Sequence, residues 1–308
     1  MISRSAVIGG LVVAELAIVG AALGTFGAPV VAPPLFFGHS PAVAAGSGSW
    51  PVLDASFLTG PSPRVTIAMP GIPVTVEAGN TPSVQVHETL VRRGWVHGEP
   101  SRLAADRTPD GVRIHNLDTG EMNAFFGMTE HSLHVTVPPG AQVELTTEDT
   151  ITVRGLRAKL TAHTHDGRIN VSDHQGDVDV TTDSGRIYLT DVHGSAIDAV
   201  AHDGRIYLTR VGAERLAVHS DSGRIVATGI RAVDGGLTTA DGRIEVSIVP
   251  TSDATVTVRS HDDPVSVSGF TYTSEGNDHG TARFGAGRGH FEITTENGPV
   301  TITQGANS

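Results

Sequence analysis

Five arginines recur at one position of a short phrase. Arg168, Arg186, Arg205, Arg224 and Arg243 each follow a glycine and precede an isoleucine. A guanidinium is a permanently charged planar fork of N–H donors, so a row of them suits an acidic or glycan partner. The glycines of the phrase, Gly167, Gly185, Gly204, Gly223 and Gly242, are 18, 19, 19 and 19 residues apart, a fixed period that marks a solenoid. Stacked one rung per coil, about 4.8 Å apart, like charges repel by roughly 0.9 kcal/mol per pair even at water's dielectric constant. Asp166, Asp183, Asp203, Asp221 and Asp241 lie just before the glycines, and their expected role is to make the strip nearly neutral. The ladder therefore has two readings, a solvated complementary ridge or a partner-binding surface.

Two residues before each glycine the chain reads His165, Asp183, His202 and Asp221, with His163 and His219 four residues before. Histidine and carboxylate together can hold zinc or respond to pH. Strung along a rod with no enclosing loop, they are read as ordinary surface, and no metal site is assigned. Ser172, Thr190, Thr209, Thr228 and Ser247 form a hydroxyl column five residues after the glycine, expected to hydrogen-bond along the strands. No residue is assigned to catalysis and no cofactor is expected.

The elements that position these columns are set by the spacing of apolar residues. Counted from the glycine, inward candidates before it are Leu160, Val178, Ile197 and Leu216 (minus seven), Ala162, Val180, Ala199, Val218 and Leu237 (minus five), and Thr164, Thr182, Ala201, Ser220 and Thr239 (minus three). After it come Ile169, Ile187, Ile206, Ile225 and Ile244 (plus two), then Val171, Leu189, Leu208, Ala227 and Val246 (plus four). A spacing of two is the strand signature. The parity switch across the glycine requires a bend, which glycine suits through its access to positive φ. A second bend is marked by Gly155, Gly176, Gly194, Gly212 and Gly235, and a short third side is conceivable around Val192, Val211 and Ile230.

The template extends beyond the five copies. Val143, Leu145, Thr147, Ile151 and Val153 fit an earlier coil; Val256, Val258, Ser260, Val265 and Val267 fit a later one, and Phe291, Ile293, Thr295, Val300 and Ile302 fit the last. Residues 272–289 exceed the period and are expected to protrude as a loop. Residues 64–140 alternate without the period and are expected to be a β cap over the first hydrophobic face. The predicted fold is all-β: a parallel β-solenoid of about eight coils over 141–308, with an N-terminal β cap region at 64–140.

Bulk composition agrees. The chain of 308 residues has 37 Gly and 5% aromatic residues, which suits many tight turns and thin aliphatic cores. Its formal charge of −12 argues against nucleic acid, which needs a basic stripe. Zero cysteines removes thiol catalysis, cysteine zinc sites and disulfides together.

From Ser5 to Phe37 the chain is apolar except for Glu15, long enough to cross a bilayer. Arg4 on the short side favours a cytoplasmic amino terminus and an exported remainder. Segment 1–38 is read as a transmembrane anchor or, given the Ala42-Val43-Ala44 site, a cleaved signal. Either exports the rest of the chain, giving a single-pass membrane protein with an extracellular C-terminal region or a secreted one. Residues 39–63, rich in Gly, Ser, Pro and Ala, read as a flexible linker.

The run from Leu133 through Val137-Pro138-Pro139-Gly140 to Leu145, leading into Thr152-Val153-Arg154-Gly155-Leu156 and the Ser/Asp-Gly-x-Ile coils, resembles the adhesin-like family of bacterial β-strand-repeat proteins, domain of unknown function 4097. The resemblance covers roughly residues 60–305. It implies a β-solenoid on an exported, often membrane-anchored envelope protein, with a role in adhesion or envelope sensing. It supplies no catalytic residues, and this chain carries Gly-Arg where the family commonly has Gly-Asp or Gly-Asn. The functional expectation is a non-enzymatic surface scaffold that binds an envelope protein or glycan. A partner subunit of an envelope-stress signalling system is the alternative; a polysaccharide-active β-helix enzyme would need a cleft that these short coils do not build.

Overall fold

Each glycine-arginine phrase closes one strand and opens the next. The computed structural model describes residues 48–98, 102–118, 122–231, 233–261 and 263–305; the expected anchor or signal at 1–38 lies outside them. Strands that approach the glycine (Leu160–Thr164, Val178–Thr182, the second halves of Arg186–Ala201 and Arg205–Ser220, and Asp234–Asp241) form one face. Those that leave it (Arg168–Gln175, the first halves of Arg186–Ala201 and Arg205–Ser220, Ile225–Ile230 and Ile244–Ile248) form the other. Pairing is parallel and joins like positions, as in Leu160↔Val178, Val178↔Ile197 and Ile197↔Leu216, and in Ile169↔Ile187, Ile187↔Ile206, Ile206↔Ile225 and Ile225↔Ile244. Every residue of the inward columns is buried. Each isoleucine of the plus-two column contributes about 1.5–3 kcal/mol by leaving water.

The repeat glycines are there for a different reason from the one expected. None of Gly167, Gly185, Gly204, Gly223 and Gly242 is among the residues with positive φ. A Cβ on Gly185, Gly204, Gly223 or Gly242 would instead collide with the carbonyl oxygen of the glycine one coil earlier, and on Gly167 with that of Asp149. The turn is tight because backbone stacks on backbone.

The minus-three column adds a connection between coils. Gly185 N donates to Thr182 Oγ1 at 3.0 Å, and Gly167 N to Thr164 Oγ1 at 3.2 Å. Buried hydroxyls of this column also donate to the previous coil, Thr164 to Asp149 O at 2.9 Å, Ser220 to Gly204 O at 3.2 Å and Thr239 to Gly223 O at 3.3 Å. Buried polar groups persist only when so satisfied. Ala201 interrupts the column.

Among the described residues other than glycine, positive φ occurs only at another corner. Six residues after the glycine, Asp173, Asp191 and Arg210 have φ of 53°, 55° and 52°, and Gly155 and Gly229 continue the column with 74° and 69°. The chain then enters a short third side carrying Leu156, His174, Val192, Val211 and Ile230, all buried. Its coils are joined by bonds such as Gln175 N to Leu156 O at 2.8 Å and Arg231 N to Val211 O at 3.0 Å.

At both ends the order of stacking departs from the order of the chain. Arg64–Met69 and Val74–Ala78 pair in parallel with Gln142–Thr147 and Ile151–Arg154, while Gly111–Asp118 and Met122–Val137 lie outside them. At the other end Gly289–Asn297 and Val300–Gln304 insert between the 234–248 coil and the last parallel strands, Ala254–Ser260 and Val265–Ser268. The coil expected to be last is therefore next to last. Residues 64–140 supply two coils of their own as well as antiparallel strands that close the end: Ser83–Gly98 pairs with Met122–Val137 and with Gly48–Leu58, and Arg102–Thr108 with Gly111–Asp118. With them, parallel strands of the first face among the described residues run in the order 111, 64, 142, 160, 178, 196, 215, 234, 289 and 254 by starting residue: the eight coils expected over 141–308 and two more from the region expected to be a cap. Gly48–Leu58 falls within the expected linker, and within residues 272–289, expected to be a loop, Tyr272–Ser274 and His279–Arg283 form an antiparallel hairpin against Ala254–Ser260. Among the described residues no helix is long and apolar enough to cross a membrane.

Candidate functional site: the arginine groove

The five arginines stand where the period placed them. Arg168 is in register with Arg186 and Arg186 with Arg205; the ladder continues through Ile206 N to Arg224 O at 3.0 Å and Ile225 N to Arg243 O at 3.0 Å. All five are exposed. Pro299 takes the place of arginine in the next coil, where Ile244 N bonds to its carbonyl at 3.2 Å.

The expected cancellation by aspartates does not occur through contacts. Arg243 Nη1 lies 3.3 Å from Glu245 Oε1 on its own strand, and Arg168 Cζ sits 5.4 Å over the ring of Tyr188. Among the described residues Arg186, Arg205 and Arg224 have no ion-pair partner. Asp183 and Asp221 are held by histidines on the opposite side of the turn: His165 Nδ1 bonds to Asp183 Oδ2, and Asp221 takes His202 Nδ1 and His219 Nε2, both at 2.7 Å. These bonds hold both carboxyls below the usual carboxylate range and raise His165 and His202 above an ordinary histidine, Asp166 adding to the field at His165. No group of three or more metal-binding side chains converges among the described residues.

Between the two flanks runs a shallow open groove in two stretches, one along 166–186 and one along 203–243, which meet at the in-register step from Arg186 to Arg205. Its floor is the glycine row, where the backbone packing excludes side chains; one wall is the arginine ladder, the other Asp166, Ser184, Asp203, Ser222 and Asp241. Next to the arginines Tyr188 and Tyr207 stack with centroids 4.8 Å apart and planes 7° from parallel, followed outward by the Thr190 and Thr209 column. The arrangement offers rows of donors and acceptors at coil spacing and no enclosed cleft.

Two features were missed. Asp191 and Arg210, both in the left-handed corner, form a bidentate ion pair with Nε–Oδ1 and Nη2–Oδ2 both 2.5 Å. It lowers the Asp191 carboxyl and raises the Arg210 guanidinium. Gly155 and Gly229 at the same position gave a usable signal. His174 is fully buried on the third side, and burial pushes it down to about 4 against the smaller opposing effect of the Asp177 and Gly176 backbone. Its place in a column of Leu156, Val192 and Val211 could have exposed it.

Three solved structures and one family model align with this chain. A crystal structure from Parabacteroides merdae, described as a candidate adhesin, aligns over 84% of this chain and 96% of its own at 9% identity and a TM-score of 0.46. A second candidate adhesin, from Bacteroides fragilis, aligns over 85% and 98% at 11% identity and TM-score 0.32. A candidate cell adhesion protein from Clostridium sporogenes aligns over 83% and 100% at 10% and 0.28. At these values the likenesses do not decide function. A search of curated proteins returned no match. The model of the family described as Toastrack DUF4097 matches residues 67–303, from the Arg64–Met69 strand to the final Val300–Gln304 strand and so across the whole stack. With the glycine-floored turns inside the matched span, this chain belongs to the Toastrack DUF4097 family.

Proposed function

We propose that this protein is an exported, adhesin-like scaffold of the bacterial cell envelope that works by binding and performs no catalysis. Its N-terminal segment 1–38 holds it in the membrane and leaves the solenoid outside the cell. The observation that carries the reading is the exposed row Arg186, Arg205 and Arg224, stacked coil on coil with no ion pair among the described residues to neutralise it. Unpaired like charges held in register disfavour the free state and favour an acidic partner that spans several rungs. Membership of the Toastrack family and the open, unenclosed groove are consistent with a surface that binds rather than a centre that reacts.

The test is photocrosslinking on intact cells that display the full chain, comparing wild type with a variant in which all five ladder arginines are glutamine. Arginine-dependent capture of one envelope component is expected, with both proteins equally abundant and equally stable to heat. Capture that survives the five substitutions unchanged would remove the ladder from the function.

A further inference from the structure

The groove is not uniform along its length. Facing the arginines across the glycine floor, Ser184 and Ser222 occupy the Gly185 and Gly223 turns, and Asp166, Asp203 and Asp241 the turns on either side. The hydroxyls of Ser184 and Ser222 are exposed and have no partner among the described residues. The carboxylates of Asp166 and Asp203 likewise accept no hydrogen bond there, whereas Asp241 accepts one from Asn297 Nδ2 at 2.7 Å.

We propose that this groove binds a linear polysaccharide whose sugars alternate between acidic and neutral units, one sugar per coil. At a serine-faced turn the free guanidinium and the hydroxyl both favour a carboxylate. At an aspartate-faced turn the acid repels a carboxylate and accepts hydrogen bonds from uncharged sugar hydroxyls. Equivalent rungs, Arg186 and Arg224, are two coils and hence about 9.6 Å apart, close to the length of a 1,4-linked disaccharide. An extended acidic peptide fits poorly, because its side chains return to one face only about every 6.8 Å. A nucleic acid carries a phosphate on every unit and would place charge against Asp203, on a chain whose net charge is already −12.

This inference rests on the binding role proposed for the ladder and adds the chemistry of its occupant. The test titrates the full chain in detergent micelles with three probes: hyaluronan oligosaccharides, in which glucuronate alternates with N-acetylglucosamine; the same material after carboxyl reduction; and oligogalacturonate, acidic at every unit. The alternating probe is expected to bind about tenfold or more tightly than either other. Arg186→Gln with Arg224→Gln should weaken it by about tenfold or more, and Arg205→Gln by no more than about threefold. All three side chains are exposed, so the variants should melt as wild type does. Equal or tighter binding of oligogalacturonate, an Arg205→Gln loss as large as that of the pair, or no binding of any probe would overturn the alternating-polymer assignment. Arginine-dependent capture on cells, if retained, would show that the binding role stands and only the occupant was wrong.

Discussion

Ser220 Oγ donates to the carbonyl oxygen of Gly204 across 3.2 Å, joining one coil to the coil before it from inside the core. Ala201 occupies the equivalent position one coil earlier and has no hydroxyl to offer. In Ala201→Ser the added oxygen is placed to receive Gly204 N–H and to donate to Gly185 O, as Thr182 does for Gly185 N and Gly167 O. A gain of about 0.5–1.5 kcal/mol is expected in urea unfolding.

The glycine row can be tested by a single methyl. At Gly223 a Cβ meets the Gly204 carbonyl, whereas at Gly212 the nearest atom is His193 Nδ1 at 3.0 Å, on a movable exposed side chain. Gly223→Ala should cost about 1–3 kcal/mol or more by forcing the coils apart, and Gly212→Ala should lie within about 0.5 kcal/mol of wild type. Thermal melting of the two variants side by side reads the difference.

His174 gives stability a pH dependence whose sign is fixed by its direction of shift. The folded value of about 4 lies below the ordinary histidine value of 6.5, so the unfolded chain takes up the proton first as pH falls. The fold loses stability between about pH 6.5 and 4, by on the order of 3 kcal/mol in all. His174→Val, which copies the paired Val192, should be more stable than wild type at pH 5 and lose less on acidification. His165 and His202 act in the opposite direction, since their raised values contribute stability that is present in acid and lost as pH rises through the folded pKa. Chemical denaturation of wild type and variant from pH 4 to 8 separates the two signs.

At the left-handed corner, Arg210 has φ of 52° and an exposed ion pair to Asp191. Glycine relieves the backbone cost and alanine does not. Both substitutions remove a pair worth no more than about 1 kcal/mol. Arg210→Gly should therefore be the more stable of the two by about 1 kcal/mol in urea.

The interior of the stack was legible because parallel register repeats what the chain repeats: Ile187, Ile206 and Ile225 share a position in the phrase and a column in space. The turn glycines were found for the wrong reason. A close approach such as Gly223 on Gly204 is a relation between coils, and sequence carries only the residue type. The ends were less readable. Val65 and Val143 are neighbours across parallel strands, but between them the chain leaves to build an antiparallel hairpin, so the period is broken while the stack is not. At the ladder, residue types and rung order were plain. The partners were not, because Asp183 and Asp221 sit among histidines and arginines alike, and side-chain direction chose His165 and His202.

The exchanged order at the C-terminal end bears on how the molecule is finished. Ala254–Ser260 and Val265–Ser268 emerge first and find their parallel neighbours only when Gly289–Asn297 and Val300–Gln304 slide in behind them. A keystone is set last, and here it is the segment 289–304. A chain cut after residue 288 would not be a shorter rod but a rod with its penultimate layer missing and valines 256, 258, 265 and 267 left without the Phe291, Ile293, Val300 and Ile302 they oppose. Completion of this end thus waits on residues 289–304, which must be in place before the strands that precede them in the chain have their parallel neighbours.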